Sequence, residues 1–376
     1  MRNVICDLLG VEFPLVAFSH CRDVVAAVTN AGGFGVLGAS GYGPEQLDVE
    51  LTWIDEHTAG RPYGVDILVP GKLVGKGEGL SADAMASFIP GEHQEFVKGL
   101  LADHGVSVDA GPTVATGAAG FGSPEINDRL ADVAFHHPIK LIANALGVPP
   151  DWMIERAHAE GVPVAALVGA KEHAVRQVNA GVDILVAQGA EAGGHCGEVT
   201  TMVLIPEVID AIAPLRRVPV LAAGGIVTGR QMAAAIALGA DGVWTGSVWL
   251  TTDEAETAPA TKAKMVAATS RDTVRSRSRT GKPARQLRSA WTDAWEGEAS
   301  PDPLPMPLQL MIAEPALRRV DQSAASGNAG ATELATYFVG QGVGLMNSVR
   351  PAGRVVIEMM EEFAASVGRL EDMTGD

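Results

Sequence analysis

The chain has few cysteines, a shortage of cations and no long apolar run. Its three cysteines, Cys6, Cys21 and Cys196, are scattered over 376 residues. No CxxC or other ligand spacing links them, so no disulfide framework is expected and the expected metal complement is none. An odd, sparse set suits a reducing compartment. Cys196 directly follows His195, which leaves two readings, a reactive thiol or an incidental small residue. The 28 Lys and Arg residues face 45 Asp and Glu, a formal charge of −17. That balance disfavours nucleic acid and anionic membranes as partners and favours solubility. No segment approaches the ~20 apolar residues of a membrane helix. The opening Met-Arg-Asn-Val-Ile-Cys-Asp carries charge too early for a signal peptide, so a cytoplasmic protein is the default expectation. No GxGxxG follows the first strand-like run, which argues against a Rossmann domain.

Glycine, by contrast, is abundant, with 44 residues. That suits many short strand-to-helix loops. Eight apolar runs read as strands buried on both faces: residues 13–18, 34–39, 64–69, 140–145, 163–168, 183–188, 219–223 and 242–246. Helical patterns at 22–31, 151–160, 171–180, 206–213 and 229–238 separate several of them. The alternation predicts an α/β protein, a (β/α)8 TIM barrel. The length suffices for one barrel with additions.

Two regions break the alternation. Residues 71–138 are too long for a simple crossover and read as an insertion between strands three and four, passing over the barrel mouth. They hold a glycine-rich run at 71–79, a helical stretch at 81–104 and a second glycine-rich piece at 111–122. Farther on, residues 262–288 are basic and read as helical. Trp291 and Trp295 share a helical face, read as packing on the barrel or as a substrate lid. The proline-rich run 301–307 must be extended, and 333–369 returns to helix as a C-terminal extension. The expected division is a barrel of residues 1–255 and 333–376, with 256–332 a helical and extended lid or packing subdomain.

Function is concentrated in three loops. The strand 183–188 ends in Gln188 and runs into Gly189-Ala190-Glu191-Ala192-Gly193-Gly194-His195. In a parallel α/β protein the loop after a strand's carboxyl end is where ligands bind. Glycines there admit close backbone approach, and a histidine there can exchange protons near neutral pH. The next strand ends in Ala223-Gly224-Gly225 and leads through Thr228-Gly229-Arg230 into a helix. The last ends in Trp244-Thr245-Gly246-Ser247. Paired glycine loops after strands seven and eight frequently hold a phosphate, through N–H groups and a helix's positive end.

The succession QGAEAGGH, VPVLAAGGI and GADGVWTGS resembles the nitronate monooxygenase family, as do residues 30–38 and Pro62-Tyr63-Gly64-Val65-Asp66. The resemblance implies an FMN-dependent barrel that oxidises nitronates or nitroalkanes with O2 to a carbonyl compound and nitrite. It implies that Ala223, Gly224, Gly225, Trp244, Thr245, Gly246 and Ser247 anchor the phosphate, and that Gln188, Gly193 and Gly194 lie near the ring. Val16, Ala17 and Phe18 would line its other side. His195 is then the candidate base; alternatives are a hydrogen-bond donor that orients an anion, or no catalytic part. The sequence departs from the family at three mouth positions. Residues 16–22 replace the usual Ala-Pro-Met-Ala-Gly, residues 143–147 replace Phe-His-Phe-Gly, and Asp66 stands where an asparagine is usual. An acidic group near a flavin is unfavourable unless protonated or paired. Other readings remain open. They are an NAD(P)H-dependent reductase of quinones or enoyl thioesters on the same barrel, a non-catalytic flavin-binding protein, and a flavin-free barrel acting on a sugar phosphate. The expected partners are a small-molecule substrate with O2 or NAD(P)H as redox partner; a homo-oligomer is left open.

Overall fold

The computed structural model of the chain describes residues 3–69, 82–108 and 124–375. Eleven strands are formed among them: β1 Leu15–Ser19, β2 Phe34–Gly38, β3 Gly64–Asp66, β4 Ile142–Asn144, β5 Val164–Val168, β6 Ile184–Gln188, β7 Gly194–His195, β8 Val220–Ala223, β9 Gly242–Thr245, β10 Thr273–Ser276 and β11 Ala284–Leu287. Eight of them close a parallel barrel in the order β1-β2-β3-β4-β5-β6-β8-β9. Closure pairs β1 with β9, Leu15 beside Val243. All eight expected strands are the barrel strands. The protein is a (β/α)8 barrel.

Alternation along each strand sorts the side chains into two cores. Val16, Phe34, Val36, Leu141, Ile184 and Leu221 belong to the barrel interior. Their neighbours Ala17, Leu37, Val65 and Leu185 face the surrounding helices. The amino-terminal helix Val4–Leu9 seats Ile5 and Leu9 in the interior cluster, where they plug the barrel's lower end. That same end carries His137, whose Nδ1 lies 2.7 Å from Asp55, so the tandem histidines preceding β4 lie away from the mouth.

The two irregular regions behave differently from expectation. The helix Pro124–His136 belongs to the outer ring of the barrel, with Ala131 and Ala134 in its core. The helix Gly91–Asp103 instead joins a second core with Trp291, Trp295 and the helix Leu308–Ala325. The tryptophans therefore pack in this side core, not on the barrel. The glycine-rich runs 71–79 and 111–122 lie outside the described residues. Within 262–288, helix is confined to Pro259–Ala267. Residues 273–287 form the antiparallel hairpin β10–β11, whose turn contains Gly281 at φ 82°. β-Branched Thr273 and Val274 suit a strand, and β7 supplies its third member, Ala284 pairing with His195. Nor is the tail one helix. Ala329–Leu334 and Ala352–Thr374 flank irregular chain and a short 3-10 turn at Gln341–Leu345.

Candidate active site

Val16, Phe18, Gly38, Asp66, Gln188 and Trp244 share the inward-facing set of positions, and Gly38, Asp66 and Gln188 are the last residues of their strands. Phe18 and Trp244 lie nearly parallel, ring centroids 6.4 Å apart. Ala17, between Val16 and Phe18 on β1, points the other way and packs in the helix-facing core, so it does not line the mouth as expected. Gln188 is half-buried, and its amide has no hydrogen-bond partner among the described residues.

The two glycine loops after β8 and β9 are shaped by backbone. Gly224 and Gly225 take φ of 103° and 74°, the left-handed region. A Cβ on Gly224 would meet the Thr201 hydroxyl at 2.9 Å and Gly189 at 3.0 Å. Gly246, at φ −129°, would direct a Cβ into open space. Side chains in the last loop are already engaged. The buried Thr245 hydroxyl donates to Val16 O at 2.9 Å, and Ser247 Oγ accepts from Gly340 N at 2.8 Å. The helix Gly229–Ala237 does not offer a free positive end. Thr228 and Gln231 form a capping box there, Glu362 accepts from Gly229 N at 3.0 Å, and the helix Ala352–Thr374 covers the end. The loop N–H groups at 224–225 and 246–247 are what remains for an anion, without that helix's dipole.

His195 is held by the hairpin. Its Nδ1 lies 3.3 Å from Pro283 O, a geometry that asks for the proton on Nδ1 and leaves Nε2 as acceptor. Protein crowding lowers its pKa, Lys282 lowers it further, and the Pro283 carbonyl opposes both. The ring remains partly accessible, as a side chain lining a cleft is. A neutral imidazole with a free Nε2 is the form a base requires. Phe338 packs on it, 6.3 Å between centroids.

Several residues here carried no weight, or little, in the sequence. Glu191 Oε2 accepts from Thr201 N and from the Thr201 hydroxyl, each at 2.8 Å, and Thr201 Oγ1 also lies 3.0 Å from Gly224 O. This couple ties the His195 loop to the Gly224 loop. Gly340, close to Gly193 and bound to Ser247, ties in the tail. Only Glu191 sits within a motif that could have pointed to it. His20 also stands at the mouth. Its Nδ1 lies 2.8 Å from Gly38 O and its ring stands edge-on to Phe18 at 5.1 Å. Burial lowers its pKa, so it too is neutral at pH 7. Asp66 is 5% exposed, and burial pushes its carboxyl up to about 7. Cys196 is half-buried and its thiol is likewise raised by burial, first of several causes. That is the opposite of the activation a nucleophilic thiol needs.

A family model described as nitronate monooxygenase matches residues 3–362. The chain belongs to the nitronate monooxygenase family. A Mycobacterium tuberculosis protein that carries the name of a monooxygenase is 57% identical over 376 residues, covering 99% of each chain. Among solved structures, the nitroalkane oxidase of Streptomyces ansochromogenes superposes with a TM-score of 0.79 at 26% identity, over 97% of this chain and 99% of that one. FabK of Thermotoga maritima does so with 0.73 at 28%, over 99% of each. As a member of the nitronate monooxygenase family, the protein is a flavin-dependent oxidoreductase. The mouth fits a flavin: Gly246 faces open space, and among the described residues the half-buried Gln188 amide and a buried oxygen of Asp66 have no hydrogen-bond partner. Among the described residues no helix is long and apolar enough to cross a membrane.

Proposed function

We propose that the protein uses FMN to oxidise nitronates and nitroalkanes with O2, giving a carbonyl compound and nitrite. FMN rather than FAD is favoured by one pair of glycine loops and no dinucleotide fingerprint. Ala223, Gly224, Gly225 and Gly246 would hold the phosphate by backbone, Gln188 would bond the ring or ribityl chain, and Phe18 with Trp244 would wall the interior. Trp244, Thr245 and Ser247 shape the loop, the last two through the hydrogen bonds already described. The bound flavin supplies a two-electron sink. The observation that carries the reading is His195, neutral, aimed by Pro283 and free at Nε2. From a neutral nitroalkane Nε2 would remove the acidic proton; a nitronate lacks that proton and skips the step. Lys282 beside it favours an anionic substrate electrostatically.

That same cation also favours a second reading, NAD(P)H-dependent reduction of quinones or enoyl thioesters, together with the likeness to FabK. Anaerobic reduction followed spectrally separates the two. Nitroalkanes and nitronates should bleach the flavin, and NADH and NADPH should not. His195→Asn should lower turnover of a neutral nitroalkane by about 10²–10⁴, the range for a positioned base. Turnover of preformed nitronate should fall much less. Equal losses would make His195 a binding residue, and bleaching by NAD(P)H alone would move the assignment to the reductase.

A further inference from the structure

Asp66 is the residue at the mouth whose chemistry the proposed reaction does not use. It ends β3, and β3 brings it inward, because Val65 faces the helices while a Cβ at Gly64 would meet Leu141 and Phe34 of the interior cluster. Its backbone is fully committed to the sheet, the carbonyl accepting from Ala39 N at 2.8 Å. Its carboxyl is not. Oδ1 is buried without a hydrogen-bond partner among the described residues. Among the described residues no cation is recorded against it. On β2 the register partner is Gly38, whose inner face is covered by the His20 imidazole. On β4 the partner is Ala143, and the following Asn144 bonds Val69 N and Gly147 O instead. His20 is thus the titratable group that covers the neighbouring register position, and burial lowers its pKa and keeps that ring neutral. An ionised carboxylate with one bare oxygen in such a place is costly, whereas a carboxylic acid is tolerated.

A carboxylic acid offers one donor and one acceptor on a planar group. A carboxamide offers the same pair in the same shape. We infer that Asp66 binds the flavin as a neutral acid, donating its proton to an acceptor on the cofactor and thereby filling with a carboxyl the role an amide would fill. The inference rests on the flavin-binding reading. It makes cofactor binding depend on a proton carried by the protein. Burial alone sets the carboxyl near neutrality, about 7 in the free protein, so this proton is lost within the physiological range.

The test is binding of FMN to the apoprotein, read by quenching of flavin fluorescence from pH 5.5 to 9, for the wild type and Asp66→Asn. The wild type should lose affinity above pH 7, approaching tenfold per pH unit, while Asp66→Asn should bind with little pH dependence. Calorimetry at pH 8 in buffers of different ionisation heat should show about one proton taken up per FMN by the wild type and none assignable to this site in the variant. Circular dichroism confirms that the near-isosteric variant is folded. Equal pH dependence in both proteins, or equal proton uptake, overturns the inference and leaves flavin binding intact. Absence of FMN binding by the wild type at every pH overturns the flavin reading and this inference with it.

Discussion

A single Cβ separates two kinds of glycine in the loops proposed to hold the phosphate. At Gly224 the added carbon would strike Thr201 and Gly189 in a left-handed conformation, so even alanine strains the protein itself. At Gly246 the same carbon enters open space from an ordinary φ. Gly246→Leu should therefore keep the apoprotein's thermal unfolding midpoint and abolish flavin retention, because the side chain fills room the ligand needs. Gly224→Ala should lower the midpoint, by about 1–3 kcal/mol of stability, from strain and overpacking. Unfolding scans with flavin content measured by absorbance check both. A Gly246→Leu protein with stoichiometric flavin would place the phosphate elsewhere.

Between elements, the site depends on three loops locked to one another by side chains the motifs do not advertise. Glu191 receives both the amide and the hydroxyl of Thr201 at the start of the helix Thr201–Ile212, while Thr201 reaches Gly224 O. Replacing Glu191 with Ala removes a charged helix-end acceptor and leaves a half-buried amide unpaired. The expected cost is about 1–2 kcal/mol. The cost should be joined by a weaker grip on flavin, since two of its loops lose their tie. Urea unfolding and FMN affinity should move together; a stability loss with unchanged affinity would make the couple purely structural. The β10–β11 hairpin is a second such element. It lies in a stretch expected to be helical, and is instead the strand pair that aligns His195.

For the whole molecule, the titratable groups at the mouth impose opposing slopes on stability. His20 and His195 have folded values below 6.5, so the unfolded chain binds more protons as the pH drops. Their contribution is present above 6.5 and lost as pH falls. Asp66 runs the other way. Its folded value near 7 lies above the unfolded one of 3.8, so stability falls as pH rises between them. The full penalty, about 4 kcal/mol, is reached above pH 7. Asp66→Asn should accordingly stabilise the apoprotein at pH 8 and change it little at pH 3.5. His195→Asn should gain relative stability at pH 5 and not at pH 8. Unfolding midpoints across that range test both signs.

The sequence alone determined the barrel and where its glycine loops fall. Eight apolar runs buried on both faces leave few alternatives to a closed parallel sheet, and glycine at a strand's carboxyl end has a local cause that composition preserves. Gln188, His195 and the loops at 223–225 and 244–247 were legible for that reason. Where side chains from distant segments meet was not legible, because no local pattern encodes it. Gly340 reaching Ser247, Trp291 turning to a side core, and helix Ala352–Thr374 closing the end of Gly229–Ala237 are all long-range packing. The tertiary structure also decided the state of Asp66. Its position in the sequence marks a departure from the family, but only burial beside an uncharged imidazole, with no cation in reach among the described residues, makes that carboxyl hold its proton near pH 7.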